Sequence, residues 1–324
     1  MPFEMNTVSA VIILAGGVLI LWKGADLLVA GAVRLAERLG VSPLVVGLTL
    51  VAMGTSAPEV AASIAATLRG EGDIAIGNVY GSNIANLALV GGLAALIRPL
   101  TVRMQTLCRE IPVMIIVALL LWPVLHNLNL SRAEGCILVA VFAVLILLTI
   151  YSARKDGVDK ANRDATDSHV AGSGMGKNML FIGIGLVGLA VGADLTVRGA
   201  VSIGERVGLS TAVIGQTIVA VGTSLPELAT CVVAAIKGHH DISIGNLVGS
   251  NIFNTLLVTG VAGVVRPFEV GPRLMGADYW IMIGVSVAFG LIVTAGRRTI
   301  GRGSAVLLLS GYVAYVVYLL AYSG

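Results

Sequence analysis

Apolar runs, each near the 20 or so residues that a helix needs to cross a bilayer, recur along the whole chain. Charges, prolines and glycines mark their ends. They predict ten spans, at roughly 8–33, 43–68, 73–97, 107–125, 132–151, 178–203, 210–236, 241–265, 277–295 and 303–322. One long polar stretch, about 152–177, interrupts the series with Arg154, Lys155, Asp156, Asp159, Lys160, Arg163, Asp164 and Asp167. It reads as a solvated linker. The expected organisation is five spans in 1–151, the linker at 152–177, and five spans in 178–324. The fold class is therefore an all-α polytopic membrane protein.

Composition agrees. The 324 residues are 56% hydrophobic and 12% charged, with a mean hydropathy of +0.94, whereas a soluble domain carries about 25% charged residues. A net charge of +3 without a basic cluster gives no reason to expect nucleic acid. Cys108, Cys136 and Cys231 are too few and too scattered for a disulfide framework or a CxxC metal site. The first apolar stretch lacks a basic leader and a small-residue cleavage site, so it reads as a retained span.

The decisive feature is a duplication. Residues 24–99 repeat as 192–267 at a constant offset of 168 (192 minus 24), and more than half of the aligned positions are identical. The densest identities are GTSAPE (54–59) against GTSLPE (222–227), and IGNVYGSNIAN (76–86) against IGNLVGSNIFN (244–254). With the N-terminus outside, Lys and Arg fall 14 on the inner side and 6 on the outer side. That bias puts both termini outside and the linker inside. Five spans per copy then turn the second copy upside down, so the duplication predicts an inverted repeat around a midplane site.

The repeated motifs carry oxygen. Pro58 and Pro226 each remove an N–H and crowd the preceding turn. They are expected to break the helix and free the carbonyls of Gly54 and Gly222, with those of Ala52, Thr55, Ala220 and Thr223 as further candidates, beside the hydroxyls of Thr55, Ser56, Thr223 and Ser224. Glu59 and Glu227 lie mid-span, where an ionised acid costs about 2.5–3.5 kcal/mol and by default marks a functional site. A protonated Glu hydrogen-bonded to a neighbouring helix is the bland alternative; two acids in matched breaks favour an ion site. Ser82 and Asn86 share one helix face, and Ser250 and Asn254 repeat them. Asn78, Asn83, Asn246 and Asn251 add amides beside glycines, which serve tight helix packing equally well. Asp26 and Asp194 are expected to pair along their own helices with Lys23 and Arg198. The tryptophans and Tyr312, Tyr315, Tyr318 and Tyr322 are expected at the interface or facing lipid. His239 and His240 fall in a loop, as solvated residues or a pH sensor.

This donor set is hard, and no His or Cys repeats with it, which disfavours zinc and copper. Calcium takes six to eight mixed oxygens. Two ionised Glu are balanced by one Ca²⁺ or by two Na⁺, and a third Na⁺ on neutral oxygens makes exchange electrogenic.

GTS-x-PE followed by GN-x-x-GSN, present twice, resembles the α-repeats of the sodium/calcium exchangers, within the cation/calcium antiporter superfamily. The resemblance spans essentially the whole chain. It implies interrupted second, third, seventh and eighth helices as the core, with long tilted first and sixth helices that slide across it. It implies acidic ligands at Glu59 and Glu227, hydroxyl and carbonyl ligands at Ala52, Thr55, Ser56, Ser82, Ala220, Thr223, Ser224 and Ser250, and central positions at Asn86 and Asn254. Asn254 stands where potassium-dependent members carry Asp, and the linker is too short for the calcium-sensing insert of animal members. The expected function is exchange of Na⁺ for Ca²⁺ in the cytoplasmic membrane, extruding Ca²⁺, with the two ions and the bilayer as partners, no cofactor and no obligatory protein partner. A Ca²⁺/H⁺ antiporter on the same fold is the alternative, and a cation channel or binding-only sensor comes after it. An enzyme is not expected, because no nucleophile–base pair or cofactor motif is visible.

Overall fold

The structure, a computed structural model, describes residues 6–163, 174–208, 214, 218 and 220–322, with backbone alone at 154–163, 220 and 322. Of the linker expected at 152–177, residues 164–173 lie outside the described residues, and the rest corrects the expectation: 152–163 continue the preceding helix and 175–177 open the next one. Of the span expected at 210–236, residues 210–213, 215–217 and 219 lie outside the described residues. The protein is a mostly helical, multi-pass membrane protein. Among the described residues, eight helices are long and apolar enough to cross a membrane, or nine with one bent pair counted as a single span.

In chain order the helices are α1 (Thr7–Leu39), the bent pair α2 (Pro43–Thr55) and α3 (Ala57–Arg69), α4 (Gly72–Ile97), α5 (Thr106–Leu125) and α6 (Arg132–Arg163). They continue with α7 (Met175–Arg206), α8 (Ala220–Thr223), α9 (Leu225–Lys237), α10 (His240–Val265), α11 (Leu274–Ala295) and α12 (Arg302–Tyr322). Asn6 caps α1 by accepting the Ser9 N–H at 2.8 Å. Gly70 and Gly238 end α3 and α9 in the left-handed region, at φ 83° and 80°, where a side chain would be strained.

Two expectations need correction. The helix breaks do not fall where proline was expected to free a carbonyl. They fall at Ser56 (φ −84°, ψ 10°) and Ser224 (φ −87°, ψ 5°), and Pro58 and Pro226 sit in the first turn of the next helix, where a missing N–H costs nothing. The Ala52 carbonyl still accepts the Ser56 N–H at 3.0 Å. In the second copy the Ser224 N–H turns instead to Val221, at 3.1 Å. The bend between α2 and α3 is 42°. Further, α4 and α10 are continuous, not interrupted. Each inserts a π-helical stretch, Ala85–Val90 and Asn254–Val258. A π turn re-aims side chains while keeping backbone hydrogen bonds paired, as a bilayer requires.

The fold also contains four two-residue strands that an all-α reading did not anticipate. β1 (Leu100–Thr101) pairs antiparallel with β4 (Thr299–Ile300), and β2 (Asn129–Leu130) pairs with β3 (Phe268–Glu269). The repeat offset makes β3 the counterpart of β1, so each strand pairs with the one that is not its counterpart. Arginines do the same. Arg98 donates to the Ile236 carbonyl at 2.7 Å, and its counterpart Arg266 donates to the Leu68 carbonyl at 2.9 Å.

The buried pair is α4 and α10, with 72% of their most apolar stretch inside the protein against 17% for α6 and α12. Across one side lie α1 and α7, joined by glycines spaced seven apart: Gly17, Gly24 and Gly31 against Gly185, Gly192 and Gly199. A Cβ at Gly17 would meet the Thr196 nitrogen at 2.6 Å, and one at Gly185 the Leu28 nitrogen at 2.7 Å. The two backbones touch, as small residues allow in membranes.

Candidate functional site

The helix breaks deliver both acids to one place. Ser56, at the first break, donates its hydroxyl to Glu227 Oε1 of the second copy at 2.8 Å. Glu59 lies within Coulombic range of Glu227, and both acids are fully buried. Thr55 reaches across as well, donating to Asn246 Oδ1 at 3.1 Å. Thr55, Ser56, Ser82, Asn86, Ser224, Ser250 and Asn254 are all buried beside the acids' helices.

What distinguishes this cluster is unspent hydrogen-bonding capacity. Both oxygens of Glu59, Glu227 Oε2, the hydroxyls of Ser224 and Ser250, and both amide atoms of Asn86 and Asn254 are buried with no protein partner among the described residues. Buried polar atoms are otherwise almost always paired, because an unpaired one costs the desolvation of the group. So many in one cluster, most of them oxygens around two carboxylates, form a cage suited to hard cations.

The cage is not symmetric. Ser56 holds Glu227, whereas its counterpart Ser224 leaves Glu59 alone. A cavity of about 600 Å³ runs from Asp73, in the first turn of α4, and Gly271, in a loop, to Asn78, Ser82 and Thr223. Gly77 and Gly81 line it, and a Cβ on either would meet nothing within 4 Å among the described residues. Their counterparts Gly245 and Gly249 are covered: a Cβ there would lie 2.7 Å from the Leu44 carbonyl and 2.6 Å from that of Leu48.

Several residues singled out from the sequence serve the scaffold instead. Asn78 donates to the Glu59 carbonyl at 3.2 Å and to Ser63 Oγ at 3.0 Å, clipping α4 to α3. Asn246 makes the matching clip to Cys231 Sγ at 3.3 Å. Cys231 is therefore the counterpart of Ser63, a role that its isolation in the sequence did not suggest. Asn83 and Asn251 point to Met282 and Met114 sulfurs, at 3.5 and 3.6 Å, away from the acids. Gly54 and Gly222 are small because Leu186 and Val197 of α7 press on them. Ala52 lies in the last turn of α2 beside Gly249, and Ala220 opens α8 with only its backbone described. Asp194 pairs with Arg198 at 2.8 Å as expected, but Asp26 pairs with Lys237 of α9 rather than with Lys23. Tyr312 and Tyr315 line the cavity rather than face lipid. His239 is part-buried, and burial, aided by nearby Lys237, holds its pKa below the usual value.

The chain matches the family model described as sodium/calcium exchanger protein over residues 9–151 and 177–321. It belongs to the sodium/calcium exchanger family. The exchanger is 37% identical to inner membrane protein YrbG of Escherichia coli over 96% of each chain. It is 34% identical to the sodium/calcium exchanger MaX1 of Methanosarcina acetivorans, covering 97% of this chain and 99% of that one. Its fold superposes on the solved sodium-calcium exchanger NCX_Mj with a TM-score of 0.81, at 30% identity and with 96% and 98% of the two chains covered. Membership places this exchanger among cation/calcium antiporters, which are transporters rather than enzymes.

Proposed function

We propose that this exchanger swaps Na⁺ for Ca²⁺ across the cytoplasmic membrane by alternating access, extruding Ca²⁺ on the inward sodium gradient. Glu59 and Glu227 supply the shared charge. Thr55, Ser56, Thr223, Ser224, Ser82 and Ser250 supply hydroxyls, Ala52 and Ala220 carbonyls, and Asn86 and Asn254 amide oxygens. The single observation that carries this reading is the cluster of unpartnered buried polar atoms around two acids at matched helix breaks. One Ca²⁺ or two Na⁺ neutralise the pair.

The proposed architecture is ten spans, as five-helix halves 1–151 and 178–324 in opposite orientations, with both termini outside and the 152–177 linker inside. The crossed strand pairings support it. In each copy the two strands flank one helix, α5 or α11, and so sit at opposite membrane faces; pairing β1 with β4 and β2 with β3 needs one copy upside down. The reciprocal Arg98 and Arg266 bonds fit the same axis.

The test is sodium-gradient-driven uptake of radiolabelled Ca²⁺ into proteoliposomes. Collapsing the sodium gradient should abolish uptake, and collapsing the pH gradient alone should leave it. Glu59→Gln should lose it; a variant that transports like the parent would sink the assignment.

A further inference from the structure

A second pair of carboxylates, Asp278 buried and Glu110 part-buried, occupies repeat-related positions outside the cage. The 168-residue offset runs on to set Glu110 against Asp278 and Met114 against Met282. The matching Asn83–Met282 and Asn251–Met114 bonds fix that register. Each acid closes a π-helical stretch at the start of its helix, Thr106–Glu110 in α5 and Leu274–Asp278 in α11. Each has one arginine beside it: Arg273 Nε lies 3.3 Å from Asp278 Oδ2, and Arg109 Nε lies 4.0 Å from Glu110 Oε1. Each keeps its other oxygen buried with no hydrogen-bond partner among the described residues, Asp278 Oδ1 and Glu110 Oε2.

Their surroundings differ as the two copies differ. Asp278, 4% exposed, lines the cavity that ends at Ser82 and Thr223, together with Arg273, Tyr80 and Tyr315. On Glu110's side the corresponding glycines, Gly245 and Gly249, are covered by α2. A carboxylate turned into a narrow low-dielectric cleft concentrates cations there. A bare buried carboxylate is costly, and a tethered guanidinium is one group that can neutralise it between passages. The guanidinium also has somewhere to go, since Arg273 overlies the Tyr318 ring at 5.5 Å.

We propose that Asp278 is a staging site for the transported cation on the open route, with Arg273 as its tethered competitor, and that Glu110 and Arg109 take the same part at the opposite face when the other route opens. This rests on the exchange reading above. A plain structural ion pair at a helix start is the competing account, and it has no reason to act on one face only.

The experiment measures half-saturating Ca²⁺ separately at each face of proteoliposomes holding the full chain, with Na⁺ saturating opposite. Asp278→Asn should raise the value about five- to tenfold at the face bearing Gly271 and less than about twofold at the other, with Glu110→Gln reversing the sides. Arg273→Gln should lower it at the Gly271 face, which serves as the second reading if Asp278→Asn folds poorly. Equal shifts at both faces, no shift, or an unchanged or raised value in Arg273→Gln overturn the proposal. A parent protein without sodium-dependent Ca²⁺ exchange takes the function reading down with it, whereas an active parent without sided shifts overturns the staging site alone.

Discussion

The glycine seam between α1 and α7 permits a quantitative test. In Gly192→Ala the new methyl would lie 2.6 Å from the Leu21 nitrogen and 2.9 Å from the Gly17 carbonyl oxygen. Ordinary contact begins at 3.4 Å, so the helices must part by roughly 0.8 Å (3.4 minus 2.6), and both obstacles are backbone. Overpacking of this kind costs about 1–3 kcal/mol. Alanine's better helix propensity offsets up to about 1 kcal/mol of it. The net loss, up to about 3 kcal/mol, should lower the thermal unfolding midpoint in detergent by as much as roughly 12 °C at about 2–4 °C per kcal/mol. Gly183 and Gly16 are the controls, because an added methyl there meets nothing within 4 Å; Gly183→Ala and Gly16→Ala should hold or raise the midpoint. Gly17→Ala opens the same seam, so the double variant with Gly192→Ala should lose less than the sum of the singles. A Gly192→Ala midpoint equal to or above that of Gly183→Ala would refute the claim that the two backbones touch.

Other parts of the scaffold make further predictions. Cys231→Ser should retain transport and shift the midpoint by less than about 1 kcal/mol, because Ser63 does the same work in the other copy; in the parent, Cys231 should resist maleimide until unfolding while exposed Cys108 and Cys136 react. Arg98→Gln and Arg266→Gln should each destabilise by about 1–2 kcal/mol, and by similar amounts, since each removes one charge-assisted bond to a helix-end carbonyl; a loss confined to one would break the equivalence. For His239 the folded pKa lies below the unfolded value of 6.5, through burial first and Lys237 second. As pH falls through 6.5 the unfolded chain binds more protons than the folded one, so stability should fall with it. Midpoints measured across that window should fall less steeply in His239→Gln.

The spans were legible because bilayer thickness sets their length, and the observed helices start and stop close to where apolar runs do. α1 and α6 are exceptions: α1 continues past the expected end at 33 through Arg34, Glu37 and Arg38 to Leu39, and α6 past 151 to Arg163, since charged residues at a span's end are good helix formers. The strands were not legible, because two-residue ribbons leave no periodicity to read. Neither were the π turns: inserting one residue between Ala85 and Val90 changes no composition, only where Asn86 and its neighbours point. Partners distant in the chain were hidden for a related reason. Lys23 seemed the natural mate of Asp26 by spacing, but Lys237 arrives from α9 through tertiary packing.

At the site, residue types announced the chemistry, and geometry divided the roles. Glu59, Glu227 and Ser56 converge, and Asn86 and Asn254 stay buried with their amides unpartnered among the described residues, while Asn78, Asn83, Asn246 and Asn251, similar on paper, hold helices together. The remaining difference lies between the copies. Their motifs match, yet Ser56 binds Glu227 while Ser224 leaves Glu59 unbonded, and Gly245 is covered while Gly77 is open. The proposed exchange requires a second arrangement, with the opposite serine bonded and the opposite glycines open. Ions need only modest differential affinity to choose between two such states. On this reasoning the unequal hydrogen bonds of the two glutamates are the feature that distinguishes the two halves in this arrangement.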